Sequence, residues 1–316
     1  MDIAELDFNE IEKLSYNSHC FNDIRFIKHV SHKTEEIKFL VFKNSKNKLA
    51  IIFGSDKNKL ASPFSAPFGG FIQFNSKISI EEIDCSINLL NNWFVLNNII
   101  SAEITLPPLA YNTTFISKVE NSLLRNNFKL KKNELNYHFN LDDFNSGNFI
   151  ESNMLRNARK NLNISLKNNL NFRKVNDSEN EKVYNIIRQN RDEHGYELKL
   201  TYNEIINTGN LIEIEYFIVE FVSIAIAAAI VYKIQEGIMQ VVYWGGIEEY
   251  QHHKPINFLS YKLLEYYSLK NIKIIDIGPS SISSIPDYGL CDFKDSIGCQ
   301  VSLKKTFIYE KNSKTI

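Results

Sequence analysis

This sequence predicts an α/β fold of the α+β kind, built as two tandem lobes, each a mixed, mostly antiparallel sheet flanked by helices. Two observations predict it. Short apolar runs of strand length alternate along the chain with segments whose apolar residues recur at helical spacing. The order of these elements then repeats. Gly69-Gly70 and Gly245-Gly246 each border a strand and precede a helix, an apolar strand and a proline, Pro107 or Pro279. From second glycine to proline the interval is 37 residues in one case and 33 in the other, close enough to read as an internal duplication. The expected division is residues 1–148 and 149–316.

The composition supports a soluble globular protein: 44% hydrophobic residues supply a real core. A net charge of −1 gives no global pull toward nucleic acid or anionic membrane, so any such binding must come from a local patch. The start, Met1-Asp2-Ile3-Ala4-Glu5, is acidic and lacks an apolar core, which reads against a secretory signal and makes a cytoplasmic location the expectation. The longest apolar run, Phe221 to Tyr232, is too short to span a bilayer and reads as buried strand, so no transmembrane segment is expected. Cys20, Cys85, Cys291 and Cys299 show no C-x-x-C spacing, and His252-His253 lacks a matching carboxylate. No metal site and no disulfide scaffold are expected.

The first half is weakly patterned to about residue 34. Glu36–Phe42 and Leu49–Phe53 have strand length, and the Pro/Gly-rich, aromatic stretch 62–71 leads into another strand. Ser79-Ile80-Glu81-Glu82 is a capping box, followed by Ile83, Ile87, Leu90 and Phe94 at helical spacing. Ile99–Leu106 is a strand stopped by Pro107-Pro108, then come a helix near Asn112–Arg125 and a strand near Phe128–Leu141. The second half opens with a helix near Phe149–Leu170. Ser178-x-x-Glu181 and Thr201-x-x-Glu204 are further capping boxes, opening helices to about Glu193 and Thr208. Strands Ile212–Phe221, Ile224–Ile234 and Ile238–Trp244 follow, then a helix Pro255–Leu269 with proline at its first position, where no N–H is needed. Ile272–Ile277 and Val301–Tyr309 are the last strands.

Several of these stretches carry a family resemblance. Tyr250, the helix Asn257–Tyr267, Ile275-Asp276-Ile277-Gly278 and Gly289-Leu290-x-x-Phe293-Lys294-x-x-x-Gly298 resemble the C-terminal lobe of FemABX-like transferases of the GNAT superfamily. Pro63-Phe64-x-x-Pro67-Phe68-Gly69-Gly70 resembles short bacterial relatives of that group. The resemblance covers roughly residues 36–309. It implies two tandem GNAT-like lobes, the first shaping the acceptor side with a degenerate donor cleft, the second holding the donor cleft and the chemistry. It implies an acyltransferase that moves an acyl or aminoacyl group to an amine by direct displacement. The acceptor it implies is a small-molecule, glycan or lipid-linked cell-envelope precursor. Acyl-CoA or aminoacyl-tRNA would be the co-substrate, and no cofactor would be permanently bound.

The chain departs from the pattern in two places. It has no sustained heptad insertion, the arm thought to help related proteins engage tRNA, which argues against a tRNA partner. Where GNAT enzymes cradle the CoA pyrophosphate with Gln/Arg-x-x-Gly-x-Gly/Ala, this chain reads Gln251-His252-His253-Lys254-Pro255-Ile256, and Pro255 removes a donor. An acyl-CoA-dependent N-acyltransferase acting on an amino sugar and a catalytically silent binding module are the rival readings.

Acyl transfer needs a fixed acyl carbonyl, donors for the oxyanion and a route for the amine proton. The donor-side candidates are Trp244, Gly245, Gly246, Lys254 and Asn257, the glycines because they let a ligand approach backbone or permit a bulge. The catalytic candidates are Lys294 as oxyanion partner, Asp276 as a carboxylate inside an apolar strand that could pair with Lys294 or take the amine proton, and Tyr288 as phenol donor. Arg191 could grip an anionic acceptor, and so could His194, for which a plain helix end is the stronger reading. Arg156, Arg159 and Lys160 share a helix face that is either solvated or a phosphate contact. Cys291 lacks the His-Asp pattern of a nucleophile.

Overall fold

The computed structural model describes residues 1–142 and 144–311. They form two compact units: Met1–Leu135 with Ser283–Ile285 and Ser302–Ile316, and Asn136–Ile282 with Pro286–Val301.

The strands of the first unit are β1 (Asp2–Leu6), β2 (Glu36–Lys43), β3 (Asn47–Asp56), β4 (Lys59–Ser62), β5 (Phe71–Gln73) and β6 (Ser101–Thr105). Its helices are α1 (Phe8–Ile11), α2 (Ile24–Val30), α3 (Ile80–Leu96) and α4 (Thr113–Arg125). Ladders β1–β2, β2–β3, β3–β4 and β3–β5 are antiparallel, and β4–β6 is parallel. α3 starts as the capping box requires: Ser79 Oγ accepts from the Glu82 N–H at 3.1 Å and Glu82 accepts from the Ser79 N–H at 3.0 Å. Its buried face is Ile83, Ile87, Leu90, Trp93 and Phe94. The weakly patterned start proves to hold β1 and α2. β1 is too short and too exposed to leave a periodic signal.

The second unit begins inside β7 (Lys129–Asn140), which supplies Asn136–Asn140. It continues with α5 (Ser146–Ser152), α6 (Arg156–Lys167), β8 (Asn171–Lys174), α7 (Asn180–Glu193), α8 (Tyr202–Gly209), β9 (Ile214–Phe221), β10 (Ile224–Gln235), β11 (Ile238–Gly246), α9 (Pro255–Ser268) and β12 (Ile274–Pro279). The two-residue strands β13 (Ser281–Ile282) and β14 (Ile285–Pro286) precede α10 (Tyr288–Ser296), and β15 (Gln300–Glu310) ends the described chain. The order β8-β9-β10-β11-β12-β7 is antiparallel except for β11–β12, which is parallel.

Each unit therefore contains one parallel pair among antiparallel ladders, with a helix joining the two parallel strands: α3 in the first, α9 in the second. The units differ from the expected single cut at residue 148 because the halves exchange their last strands. β15 pairs antiparallel with β6, Thr306 opposite Thr105, within the first unit. β7, which follows α4, pairs with β12 within the second. Element order along a chain does not fix which edge a final strand joins.

Two local expectations also change. The helix expected over Phe149–Leu170 is broken at residues 153–155, where the Leu155 N–H bonds to the Ser296 carbonyl at 2.9 Å. The Ser178–Glu181 box does not form. Residues 177–179 make a 3-10 turn, α7 starts at Asn180 without a side-chain cap, and Glu179 takes a bidentate pair from Arg173 at 2.7 Å. The Thr201–Glu204 box forms as expected.

The core of the second unit sits between the sheet and helices α6 and α9, around Phe217, Ala229, Met239, Leu263, Tyr267 and Ile275. At its edge lies a buried carboxylate, Glu215. It accepts from Lys174 at 2.6 Å, Tyr267 at 2.6 Å, Tyr266 at 3.2 Å and Lys270 at 3.3 Å.

In the first unit an aromatic cluster of Phe21, Phe26, Phe68 and Tyr111 encloses His19, whose Nε2 lies 3.0 Å from the Gly69 carbonyl. Burial pushes the His19 pKa down to about 4. The unfolded chain titrates near the ordinary value, so between about pH 6.5 and 4 only the unfolded state takes up the proton, and stability falls as pH falls. Urea midpoints should show the wild type losing about 2 kcal/mol more between about pH 7 and 5 than His19→Asn. Equal losses in the two proteins would contradict this.

Candidate functional site

The parallel ladder of β11 and β12 is short: Ile238 faces Ile274, Met239 faces Ile275, Gln240 faces Asp276, and there it ends. β11 runs on to Gly246 against β10 alone, while β12 runs on to Pro279 against β7 alone. The two strands thus part in a fork with Gln240 and Asp276 at its vertex. Both arms are bulged at the opening. Ile230 pairs with Tyr243 and Val231 with Val241, which leaves Val242 as the extra residue on β11, and a second shift lies between Asp276 and Gly278. A bulge breaks the ladder locally and re-aims backbone groups. It falls three residues before the glycines, where the sequence offers no signal for it.

The glycine pair does something else. A Cβ on Gly245 would lie 2.6 Å from Asn190 Oδ1 on α7, and one on Gly246 would lie 3.3 Å from Ile256 and 3.4 Å from Pro255 at the start of α9. The two glycines let two different helices come close to the end of β11. Asn190 then fixes the contact by donating to the Gly246 carbonyl at 2.8 Å. The first turn of α9 is brought to this point by Lys254, in left-handed conformation at φ 57° and without a side-chain cap, and by Pro255. The Lys254 N–H is taken by the Gln251 carbonyl at 3.0 Å, and Asn257 is buried in the same turn. Trp244 is half-buried against the core, its ring edge-on to Phe293 of α10 at 6.3 Å.

Asp276 is 0% exposed and forms the vertex of the fork. Ile275 and Ile277 belong to the α6–α9 core, so strand alternation turns Asp276 to the other face of the sheet. It accepts from Asn136 Nδ2 at 2.7 Å, Gln240 Nε2 at 2.9 Å and the Gly278 N–H at 2.8 Å. His138 stands opposite Asp276 across the β7–β12 ladder. Among the described residues its buried Nδ1 has no partner, and burial lowers its pKa against the pull of Asp276, which favours the neutral ring.

Lys294 is 2% exposed and donates to three backbone carbonyls, of Ile277 at 3.1 Å, Gly278 at 2.9 Å and Pro279 at 3.4 Å, rather than to Asp276. It closes the bulged end of β12 and lies 5.4 Å from the Tyr137 ring. Burial pushes its pKa down to about 8. The expected Asp276–Lys294 pairing is not made, because each group is satisfied by backbone and amides at its own side of the strand. Tyr288, at the first position of α10, is 76% exposed and is joined to neither of them by any contact among the described residues. The buried phenol beside Lys294 belongs to Tyr137.

Arg191, near the end of α7, has its guanidinium 5.8 Å from the Tyr196 ring and 5.9 Å from the ring of Tyr243 on β11, and its Nε is buried without a partner. Among the described residues no carboxylate forms an ion pair with it, and its contacts are with the two rings. His194 bonds its ring Nδ1 to the Asn190 carbonyl at 2.8 Å, and Gly195 follows at φ +69°, so His194 is a helix end. Arg156 and Arg159 stand on the outer face of α6, away from the fork's contacts. Sequence reasoning missed Asn190, Gln240, Asn136, His138 and Tyr137, which enter only through non-local pairing.

No family model matches the chain, and no curated protein does. Solved structures do. FemX superposes with a TM-score of 0.71 at 11% identity, covering 99% of this chain and 98% of its own. The chain has the fold of FemX. L-PGS from Bacillus licheniformis follows at TM-score 0.59 and 10% identity, over 96% of this chain and 91% of that one. A tandem GNAT protein from the clavulanic acid biosynthesis pathway gives 0.50 at 8% identity over 98% of both chains. At these identities the property shared with FemX is the fold, two GNAT-like lobes in tandem. No helix among the described residues is long and apolar enough to cross a membrane.

Proposed function

We propose that the protein transfers an acyl or aminoacyl group to an amine by direct displacement, with the donor in the fork of the second unit. The observation that carries this reading is the early end of the β11–β12 ladder, with a bulge on each arm. An extended acyl chain laid along β11 would find backbone groups that no neighbouring strand takes. Gly245, Gly246 and Asn257 would border it, and Lys254 with the α9 dipole would attract its phosphate. Neutral His138, beside Asp276, would receive the amine proton, Lys294 would hold the strand end in shape, and Arg191 would bind an anionic group of the acceptor. Lipid-linked or glycan precursors of the cell envelope suit such an acceptor, as does the likeness to FemX and L-PGS. A silent binding module is the second reading, favoured by the Trp244–Phe293 ring contact at the fork.

Two donor classes are tested directly, acetyl-CoA and a charged tRNA, each with a panel of amines and mass-spectrometric detection of product. Turnover from one donor is expected, with Lys254→Glu abolishing use of acetyl-CoA if that is the donor. Arg191→Met should raise KM for an anionic acceptor by about tenfold with little change in kcat, as expected when one charge-assisted contact is lost. Absence of binding by both donors would overturn the reading.

A further inference from the structure

We infer that α6 docks the protein on an anionic phospholipid surface. At about 100° per residue, Arg156, Lys160, Asn163 and Lys167 fall within an arc of about 60°, with Arg159 beside it. Ala158, Leu162 and Ser165 form the buried face. The outer side chains line a shallow depression along the helix. Elsewhere Arg25 pairs with Asp23, Arg125 with Asp84, and Arg173 with Glu179 and Glu220. Among the described residues no ion pair reaches the four cations of α6, and Arg159 bonds only to the Glu151 carbonyl at 3.5 Å. On a chain of net charge −1 this is a concentrated, uncompensated positive stripe, and its complement is a surface of negative charge.

The leucines choose between such surfaces. Leu155 is 58% exposed and Leu166 43% exposed. On the helical wheel both fall on the shoulder next to Arg159, outside the buried face. RNA would pair with the cations and leave two leucines in water, and α6 offers no aromatic ring for a base to stack on. A bilayer takes both: phosphates against the stripe and acyl boundary against the leucines. The inference stands apart from the proposed transfer, since binding is read without turnover.

The test is flotation with vesicles of phosphatidylcholine alone and of phosphatidylcholine mixed with phosphatidylglycerol, over a salt series. The full chain should bind the mixed vesicles only, and less as salt rises. Arg156→Glu with Lys160→Glu should weaken binding by at least about 25-fold, roughly fivefold per cation. Leu155→Ser with Leu166→Ser should also weaken it while leaving the salt dependence unchanged. These side chains are exposed, and unchanged melting curves would exclude misfolding. Equal binding to both vesicle types, no binding, or indifference to the charge reversals would overturn the inference. So would tighter binding of bulk tRNA that the charge reversals abolish and the leucine changes leave intact.

Discussion

Lys294→Met should destabilise the protein by about 2 kcal/mol and remove most activity at temperatures where it is still folded. Three carbonyls at the end of β12 lose their donor, each worth about 1 kcal/mol or more when left buried and unpaired. Against this, methionine removes an ammonium whose burial is already unfavourable, so the net loss is smaller than the sum. The pH dependence separates the two contributions. Because the folded pKa lies near 8, below the ordinary lysine value, the folded state releases this proton first as pH rises. Below about pH 8 the burial penalty is present in full. Above it the wild type gains on the methionine variant until the unfolded lysine also titrates. Urea midpoints of both proteins across that range would measure it. A constant difference would mean that the ammonium is better solvated than its burial indicates.

Glu215→Ala should cost about 1–3 kcal/mol, the range for leaving a buried donor such as the Tyr267 hydroxyl unpaired, because Lys174 and Lys270 are part-exposed and can return to water. Burial alone would raise the Glu215 pKa, but hydrogen bonds from Lys174 and Tyr267, with the charges of Lys174 and Lys270, outweigh it and hold it low. Its contribution is therefore present above the ordinary carboxylate range and lost as pH falls through the folded value. Glu215→Gln should retain partners for the tyrosines and cost less than alanine. Chemical denaturation of the two variants checks the order, and a loss under about 1 kcal/mol for alanine would show that the network is solvated.

Much of this was legible in the sequence. Capping boxes at Ser79 and Thr201, the proline opening α9 and the duplicated glycine-helix-strand order all appear in the fold, because each is a local signal or a repeat. The fork was readable only in part. Trp244-Gly245-Gly246 marks the end of one arm, but the bulge at Val242 and the vertex made by Gln240, Asn136 and Asp276 depend on pairing between strands far apart in sequence. Lys294 shows the limit most clearly. Its sequence context suggests an oxyanion partner, whereas the fold has it donate to three backbone carbonyls. Tyr288 shows the reverse: a phenol one residue from a glycine reads as part of a site, and the first turn of α10 turns it outward.

The exchanged strands bear on how the chain is made. β6 receives its neighbour β15 only after all the elements of the second unit have left the ribosome, so the first lobe cannot mature before the second is synthesised. Until then it presents an unpaired sheet edge, the kind of surface on which nascent chains associate wrongly. A fragment ending before β15, or one half expressed without the other, should be insoluble rather than a free-standing lobe.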